Sequence, residues 1–196
     1  MGANRLCIAG YMGAGKTTAA RRIAECGISV IDADNEAKKM MTGDRDLAAR
    51  IIAAFGDSVV EGGTLSFARL GRITFGSKEL LLRLNEIVHP PLLLRLRRLI
   101  DSSGGNGCIL DAAVAPLWRI ETWFSFCLWV EADRDVRMRR LQFKWPSLDD
   151  RHIQERMNLQ EDTIPVPRTL PWIRVVNNGS MEELYETLGQ SGFLSR

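Results

Sequence analysis

Gly10-Tyr11-Met12-Gly13-Ala14-Gly15-Lys16-Thr17 sets a glycine, four residues and then Gly-Lys-Thr in one run, directly after the apolar stretch Leu6-Cys7-Ile8-Ala9. The spacing suits a loop that turns backbone N–H groups of Gly10, Gly13, Ala14 and Gly15 toward phosphate oxygens. A helix from Thr18 to Cys26 would add its unpaired N–H groups and the positive end of its dipole. Lys16 is then the cation for the β- and γ-phosphates, and the Thr17 hydroxyl is an Mg²⁺ ligand. A strand before the loop and a helix behind it supply the context such a motif requires. A nucleoside triphosphate is the expected ligand, ATP with Mg²⁺.

Carboxylates form a second set. Ile31-Asp32-Ala33-Asp34 closes a short apolar run. Ligands of parallel α/β sheets bind beyond the carboxyl ends of strands, which brings both acids toward the phosphates. If the segment is extended, Asp32 and Asp34 point the same way. One can then accept the proton of an attacking hydroxyl while the other acts through Mg²⁺ and its water. A plain helix cap is the other reading of Asp34. Asp111 ends Cys108-Ile109-Leu110-Asp111, a place where a carboxylate helps to hold Mg²⁺ or simply caps a loop.

The third set is basic: Arg134, Arg137, Arg139, Arg140 and Lys144, with Arg156 further on. On a helix Arg137, Arg140 and Lys144 share a face at offsets of three and four. Arg139 and Arg140 diverge by about 100° and cannot both point inward. A guanidinium meeting a migrating phosphoryl group does useful work, although such runs also occur as solvated faces. His89, beside Pro90, is either a structural imidazole or a substrate contact. Arg83, Arg95, Arg97 and Arg98 are expected to face solvent.

Five apolar runs read as strands that position these groups: Arg5–Ala9, Ser29–Ile31, Cys108–Leu110, Phe126–Val130 and Trp172–Val176. Their alternation with helical patterns points to a parallel sheet. Ser180 with Glu183 reads as a capping box for a helix through about Leu188, and Asp133 as the N-cap of a helix toward Lys144. Residues 35–102 are too long for a simple crossover and read as inserted helices, interrupted by a turn at Glu61-Gly62-Gly63-Thr64 and ended or kinked at His89-Pro90-Pro91. Leu141 to Pro171 reads as a loop-rich lid with a short helix near Asp149–Leu159.

With 196 residues, 45% hydrophobic and 26% charged, the chain has room for one α/β domain with an insertion. A net charge of +2 gives no electrostatic argument for nucleic acid or membrane. No run is long enough to span a bilayer, and Met1 to Arg5 carries no signal-peptide pattern. Cys7, Cys26, Cys108 and Cys127 lack metal-ligand spacing and read as reduced thiols of a cytoplasmic protein.

In this order the motifs resemble the dephospho-CoA kinase family over nearly the whole chain. The resemblance rests on Gly10–Thr17, Asp32-Ala33-Asp34 with Ala37, Phe55-Gly56, Glu61-Gly62 with Thr64-Leu65 and Leu70, and Phe75 through His89-Pro90. It continues in Asp111, Arg140 with Lys144, Arg156 with Gln160, and Asn177-Asn178-Gly179. It implies a three-layer α/β P-loop kinase with a five-stranded parallel sheet, an inserted helical substrate domain and a lid. Residues 1–34 and 106–196 would form the core, with the lid at about 141–171, and 35–105 the insertion. The implied reaction phosphorylates the ribose 3′-hydroxyl of dephospho-CoA.

By the same resemblance Asp34 activates that hydroxyl, Lys16 and Arg140 are catalytic cations, and Thr17 and Asp32 attend the metal. Thr18 and Asn177 join the loop in binding nucleotide, while Asp34, His89, Asp111 and Lys144 meet the substrate. The partners are small molecules, in a monomer or weak homo-oligomer. The chain departs from the family in Ala112-Ala113-Val114 after Asp111, where Pro-Leu-Leu is usual, and in Lys144, where arginine is usual. A shikimate-kinase-like enzyme is the alternative, with a similar phosphate loop and an Asp-x-Asp. That family, however, has a glycine-rich triplet after its third strand. A switch GTPase would need an Asn-Lys-x-Asp sequence, which this chain lacks.

Overall fold

A computed structural model describes residues 5–190; Met1 to Asn4 and residues 191–196 lie outside the described residues, and with them the expectation placed on the extreme N-terminus. The chain divides into two compact units, one built from the residues up to Asp32 and from Leu99 onward, the other from Ala33–Arg98.

The first unit is organised by β1 (Arg5–Ala9), with α1 (Lys16–Ala24) and β2 (Ser29–Asp32) following it. The second unit carries α2 (Ala33–Gly43), α3 (Arg45–Phe55), the short strands β3 (Val60–Glu61) and β4 (Thr64–Leu65), and α4 (Phe67–Thr74). Helix α5 (Lys78–Ser102) leads back toward β5 (Cys108–Asp111), α6 (Ala115–Trp118) and β6 (Phe126–Glu131). The chain closes with α7 (Arg134–Lys144), α8 (Asp150–Thr163), β7 (Trp172–Val176) and α9 (Met181–Gln190).

All five long strands are parallel, in the order β2-β5-β1-β6-β7. Both faces of the central strands are closed. Leu6, Ile8, Leu128 and Val130 pack with Ala19, Ala20 and Ile23 of α1 and with Leu184 and Leu188 of α9. On the opposite face Cys7, Ala9, Leu110, Cys127 and Trp129 are equally buried. A parallel strand covered on both sides must be apolar at successive residues, which is why these runs were legible without alternation.

Three strands extend one residue past their apolar runs, to Asp32, Asp111 and Glu131. Ladder pairing is made by the backbone and continues through a polar residue: Asp32 pairs with Asp111, and Asp111 with Ile8. The capping box of α9 forms in both directions, Glu183 N–H to Ser180 Oγ at 3.2 Å and Ser180 N–H to Glu183 Oε2 at 3.0 Å. Asp133 occupies the N-cap of α7 but makes no side-chain cap; its own N–H is held by Asn178 Oδ1 at 2.7 Å.

Three expectations are corrected and one, the Gly62-Gly63 turn, is met. Asp32 and Asp34 do not share an extended segment, because helix α2 starts at Ala33 and puts Asp34 in its first turn. Of the two outcomes expected at Pro90 and Pro91, ending the helix does not occur; both lie inside α5. Val88, Leu92, Leu96 and Ile100, four apart, are buried along it. Burial of that stripe offsets a cost of roughly 3 kcal/mol per interior proline. The turn at Gly62-Gly63 is a two-residue hairpin joining β3 to β4, with both glycines at positive φ, 57° and 78°. Finally, residues 141–171 are mostly helical. Leu141 belongs to α7, α8 runs on to Thr163, and Leu141, Ile153 and Met157 make a buried cluster of their own.

Candidate active site

The loop between β1 and α1 is shaped by what crowds it. At Gly10, φ is 153° and an added Cβ would sit 2.2 Å from the Val130 carbonyl oxygen. At Gly15, the N-cap of α1 at φ 97°, a Cβ would meet Asn177 Nδ2 at 2.3 Å. Neighbouring chain therefore presses on the loop where only glycine leaves room. The same neighbours brace it. Asn177 Nδ2 donates to the Ala14 carbonyl at 2.7 Å, and Ala14 N–H to the Tyr11 carbonyl at 3.1 Å. Asn177 is 6% exposed, and its amide braces the loop from within the fold.

Parallel register delivers the carboxylate. Asp111, 3% exposed, lies beside Ile8 at the end of β5. Its Oδ1 accepts from Lys16 Nζ at 2.8 Å and its Oδ2 from Thr17 Oγ1 at 2.7 Å. One carboxylate therefore aims both chemically important side chains of the loop. Because Thr17 gives its hydroxyl proton to Asp111, its oxygen lone pairs remain free to meet a cation. Mg²⁺ takes one or two protein oxygens besides phosphates and waters, and Thr17 with the carboxylate of Asp32, register partner of Asp111, fits that need.

The basic helix does not act as one face. Arg137 is 5% exposed, pairs with Glu161, donates Nε to the Ala132 carbonyl at 3.1 Å, and lies 5.1 Å from the centre of the Tyr11 ring. Arg140 donates to the Asn177 carbonyl at 2.9 Å, the Gly179 carbonyl at 3.1 Å and, at 3.4 Å, the Gly13 carbonyl. Partial burial, then the Arg139 charge, lowers its pKa from the ordinary arginine value. Lys144 is exposed at the end of α7, with its ammonium 5.6 Å from the Trp145 ring; Arg156 approaches the same ring at 5.5 Å. The three cations share a helical stripe yet have three different surroundings.

Arg140 and Asn177 line a cleft with Gly15, Thr18, Gly179, Ser180, Met181 and Leu184. The sequence reading had Gly15, Thr18, Arg140 and Asn177 but not Met181 and Leu184. Their signal was available as apolar residues opening the helix behind Asn177-Asn178-Gly179. In the second unit, Asp34 is exposed in the first turn of α2. His89 lies in mid-α5, where burial lowers its pKa to about 4 and keeps the imidazole neutral near pH 7. Arg95 is exposed, as expected, and from there donates Nε to Glu36 Oε2 at 2.7 Å; Glu36 also accepts from Lys39 Nζ at 2.7 Å.

A five-stranded parallel sheet with a phosphate loop behind β1, and a carboxylate on β5 that holds the loop's lysine and threonine, defines a P-loop kinase. Residues 5–182 match the family model described as dephospho-CoA kinase. The dephospho-CoA kinase of Thermobifida fusca (strain YX) is 30% identical over 179 residues, covering 90% of this chain and 88% of that protein. The chain belongs to the dephospho-CoA kinase family. Among solved structures, a Thermus thermophilus protein superposes with a TM-score of 0.75 at 23% identity, covering 100% of this chain and 98% of that one. Dephospho-CoA kinase from Campylobacter jejuni gives 0.57 at 16% identity, covering 96% and 95%. At those identities both speak for the fold alone.

Proposed function

We propose that this chain transfers the γ-phosphoryl group of ATP to the ribose 3′-hydroxyl of dephospho-CoA, giving coenzyme A and ADP. The observation that carries the reading is the Asp111 carboxylate gripping Lys16 and Thr17 at the loop, in a chain whose family match runs over residues 5–182. The acceptor oxygen attacks phosphorus in line, the bond from phosphorus to the ADP oxygen breaks, and the hydroxyl proton passes to Asp34. Lys16 follows the charge on the β- and γ-phosphates. Mg²⁺, held by Thr17 and Asp32, would neutralise developing phosphate charge.

Arg140 is the second catalytic cation in this reading. The loop residues Gly10, Gly13, Ala14 and Gly15, with Thr18 and Asn177, hold the nucleotide. Asp111, His89 and Lys144 complete the substrate contacts, with residues 35–105 as the acceptor-binding insertion and about 141–171 as the lid. The protein works in the cytoplasm on small molecules, without nucleic acid or membrane, as a monomer or weak homo-oligomer.

The test is ADP release by purified protein offered dephospho-CoA, shikimate, adenosine and gluconate in parallel with Mg·ATP. Turnover confined to dephospho-CoA, with the new phosphate on the 3′-oxygen by phosphorus NMR, is expected. Turnover of shikimate with no action on dephospho-CoA would return the assignment to the small-molecule kinase alternative.

A further inference from the structure

The first half of the phosphate loop is fastened to α8, inside the segment read above as the lid. Met12 N–H donates to Gln160 Oε1 at 2.6 Å, across 148 residues of sequence. The carbonyl of the same peptide unit, Tyr11 O, accepts Ala14 N–H at 3.1 Å. Both polar groups of the Tyr11–Met12 peptide are thus engaged, one by the loop and one by a side chain of α8. A peptide plane held at both ends cannot flip without losing two hydrogen bonds.

Further contacts tie the same residues to α8 and its end and to the neighbouring strand β6. The Tyr11 hydroxyl donates to the Ile164 carbonyl at 2.8 Å, and the Tyr11 ring stacks edge-on against Trp129 with centroids 5.1 Å apart. Glu161, next to Gln160, pairs with Arg137, whose guanidinium lies over that ring. The Met12 side chain packs on the Leu141, Ile153 and Met157 cluster. Tyr11 and Met12 are therefore seated in the α7–α8 pair, while Ala14, Lys16 and Thr17 are held by Asn177 and Asp111.

We propose that Gln160 is a positioning residue for the phosphate loop, its neutral amide oxygen fixing the Tyr11–Met12 peptide so that the following N–H groups face the triphosphate. This rests on the nucleotide-binding reading of the loop. The choice of an amide has a reason. A carboxylate at the same place accepts the same N–H, but it sets a negative charge beside a loop built to receive phosphates. Gln160 fixes the backbone without that repulsion.

Gln160→Met and Gln160→Glu separate the two parts of the role. Loss of one hydrogen bond of ordinary net strength corresponds to about three- to tenfold in affinity. Gln160→Met is expected to raise the Kd and KM for Mg·ATP by about that factor, with kcat at saturating ATP nearly unchanged and a melting temperature lowered by no more than a few degrees, and to move the Met12 amide proton upfield. Gln160→Glu is expected to keep the Met12 resonance near its wild-type position yet weaken ATP, by a factor that shrinks as salt is raised. A merely structural role would lower the melting temperature alone, with KM for Mg·ATP and kcat both as in the wild type.

Unchanged ATP affinity in Gln160→Met overturns the proposal. Should that variant not fold, unchanged or salt-insensitive ATP affinity in Gln160→Glu overturns it equally. Wild-type protein that fails to bind Mg·ATP when the Kd is measured by calorimetric titration sinks the nucleotide reading itself, an outcome distinct from either variant result.

Discussion

At the carboxyl ends of β1 and β5, polar groups hold other polar groups in place: Asp111 orients Lys16 and Thr17, Asn177 grips the Ala14 carbonyl and Arg140 the Gly13 carbonyl. In residues 33–98 the corresponding buried acid, Glu36, holds Arg95 and Lys39, two residues with no place in the phosphate chemistry. The same chemistry of carboxylate and cation serves orientation in the first unit and assembly of α2 with α5 in the second. What separates them is the element that carries the acid. A strand end in a parallel sheet is locked by register on both sides, so a side chain placed there is aimed. A residue one turn into a helix is placed only as well as that helix is packed.

That contrast can be broken at either end. The largest effect is expected from Asp34→Asn, which should lower kcat by about 10²–10⁴, the usual range for a general base, while ATP affinity measured by calorimetry stays near wild type. Wild-type turnover would remove Asp34 from the chemistry. Arg140→Ala should follow, with kcat falling about 10²-fold and more than nucleotide affinity falls, as for loss of one positioned charge-stabilising donor. A loss confined to melting temperature would make Arg140 only a clasp on the Gly13, Asn177 and Gly179 carbonyls.

In the second unit the readout moves from turnover to stability. Glu36→Ala should cost about 1–3 kcal/mol in urea denaturation for its two lost charge-assisted hydrogen bonds, and no more, because its partners Arg95 and Lys39 are partly exposed and rehydrate. His89 sharpens the comparison through pH. Burial lowers its pKa from 6.5 to about 4, so the unfolded chain binds its proton first as pH falls. The stability this neutral imidazole contributes is complete above about pH 6.5 and is lost on descending toward pH 4. His89→Gln should flatten the decline in unfolding free energy between pH 7 and pH 5, and an unchanged slope would count against a proton-linked His89. The smallest effect is expected from Ser180→Ala, which removes one cap of α9 and should cost about 0.5–2 kcal/mol, read as a drop of a few degrees in melting temperature.

Much of the first unit was legible because its rules are local. The loop motif, the apolar strands and the Ser180–Glu183 box each need only a short window of sequence. Asp32-Ala33-Asp34 defeated such a window: alternation predicted a shared side, and the start of α2 at Ala33 turned Asp34 into a helical residue. Pro90 and Pro91 defeated it from the other direction, since local rules forbid what the buried stripe from Val88 to Ile100 stabilises.

The basic helix marks the boundary most sharply. Spacing put Arg137, Arg140 and Lys144 on one stripe, and no local rule distinguishes a guanidinium locked to Glu161 from one that reaches the Gly13 carbonyl of the phosphate loop. By itself the sequence determined which residue types stand in which order: a phosphate loop, acids at strand ends, cations behind the fourth long strand, and five strands able to pair in parallel. Only the tertiary structure decided their partners, such as Asp111 with both Lys16 and Thr17, or Gln160 with Met12 across 148 residues. Periodicity and propensity are properties of neighbouring residues along the chain, whereas a hydrogen bond between distant segments exists only once the sheet has fixed the distance between them.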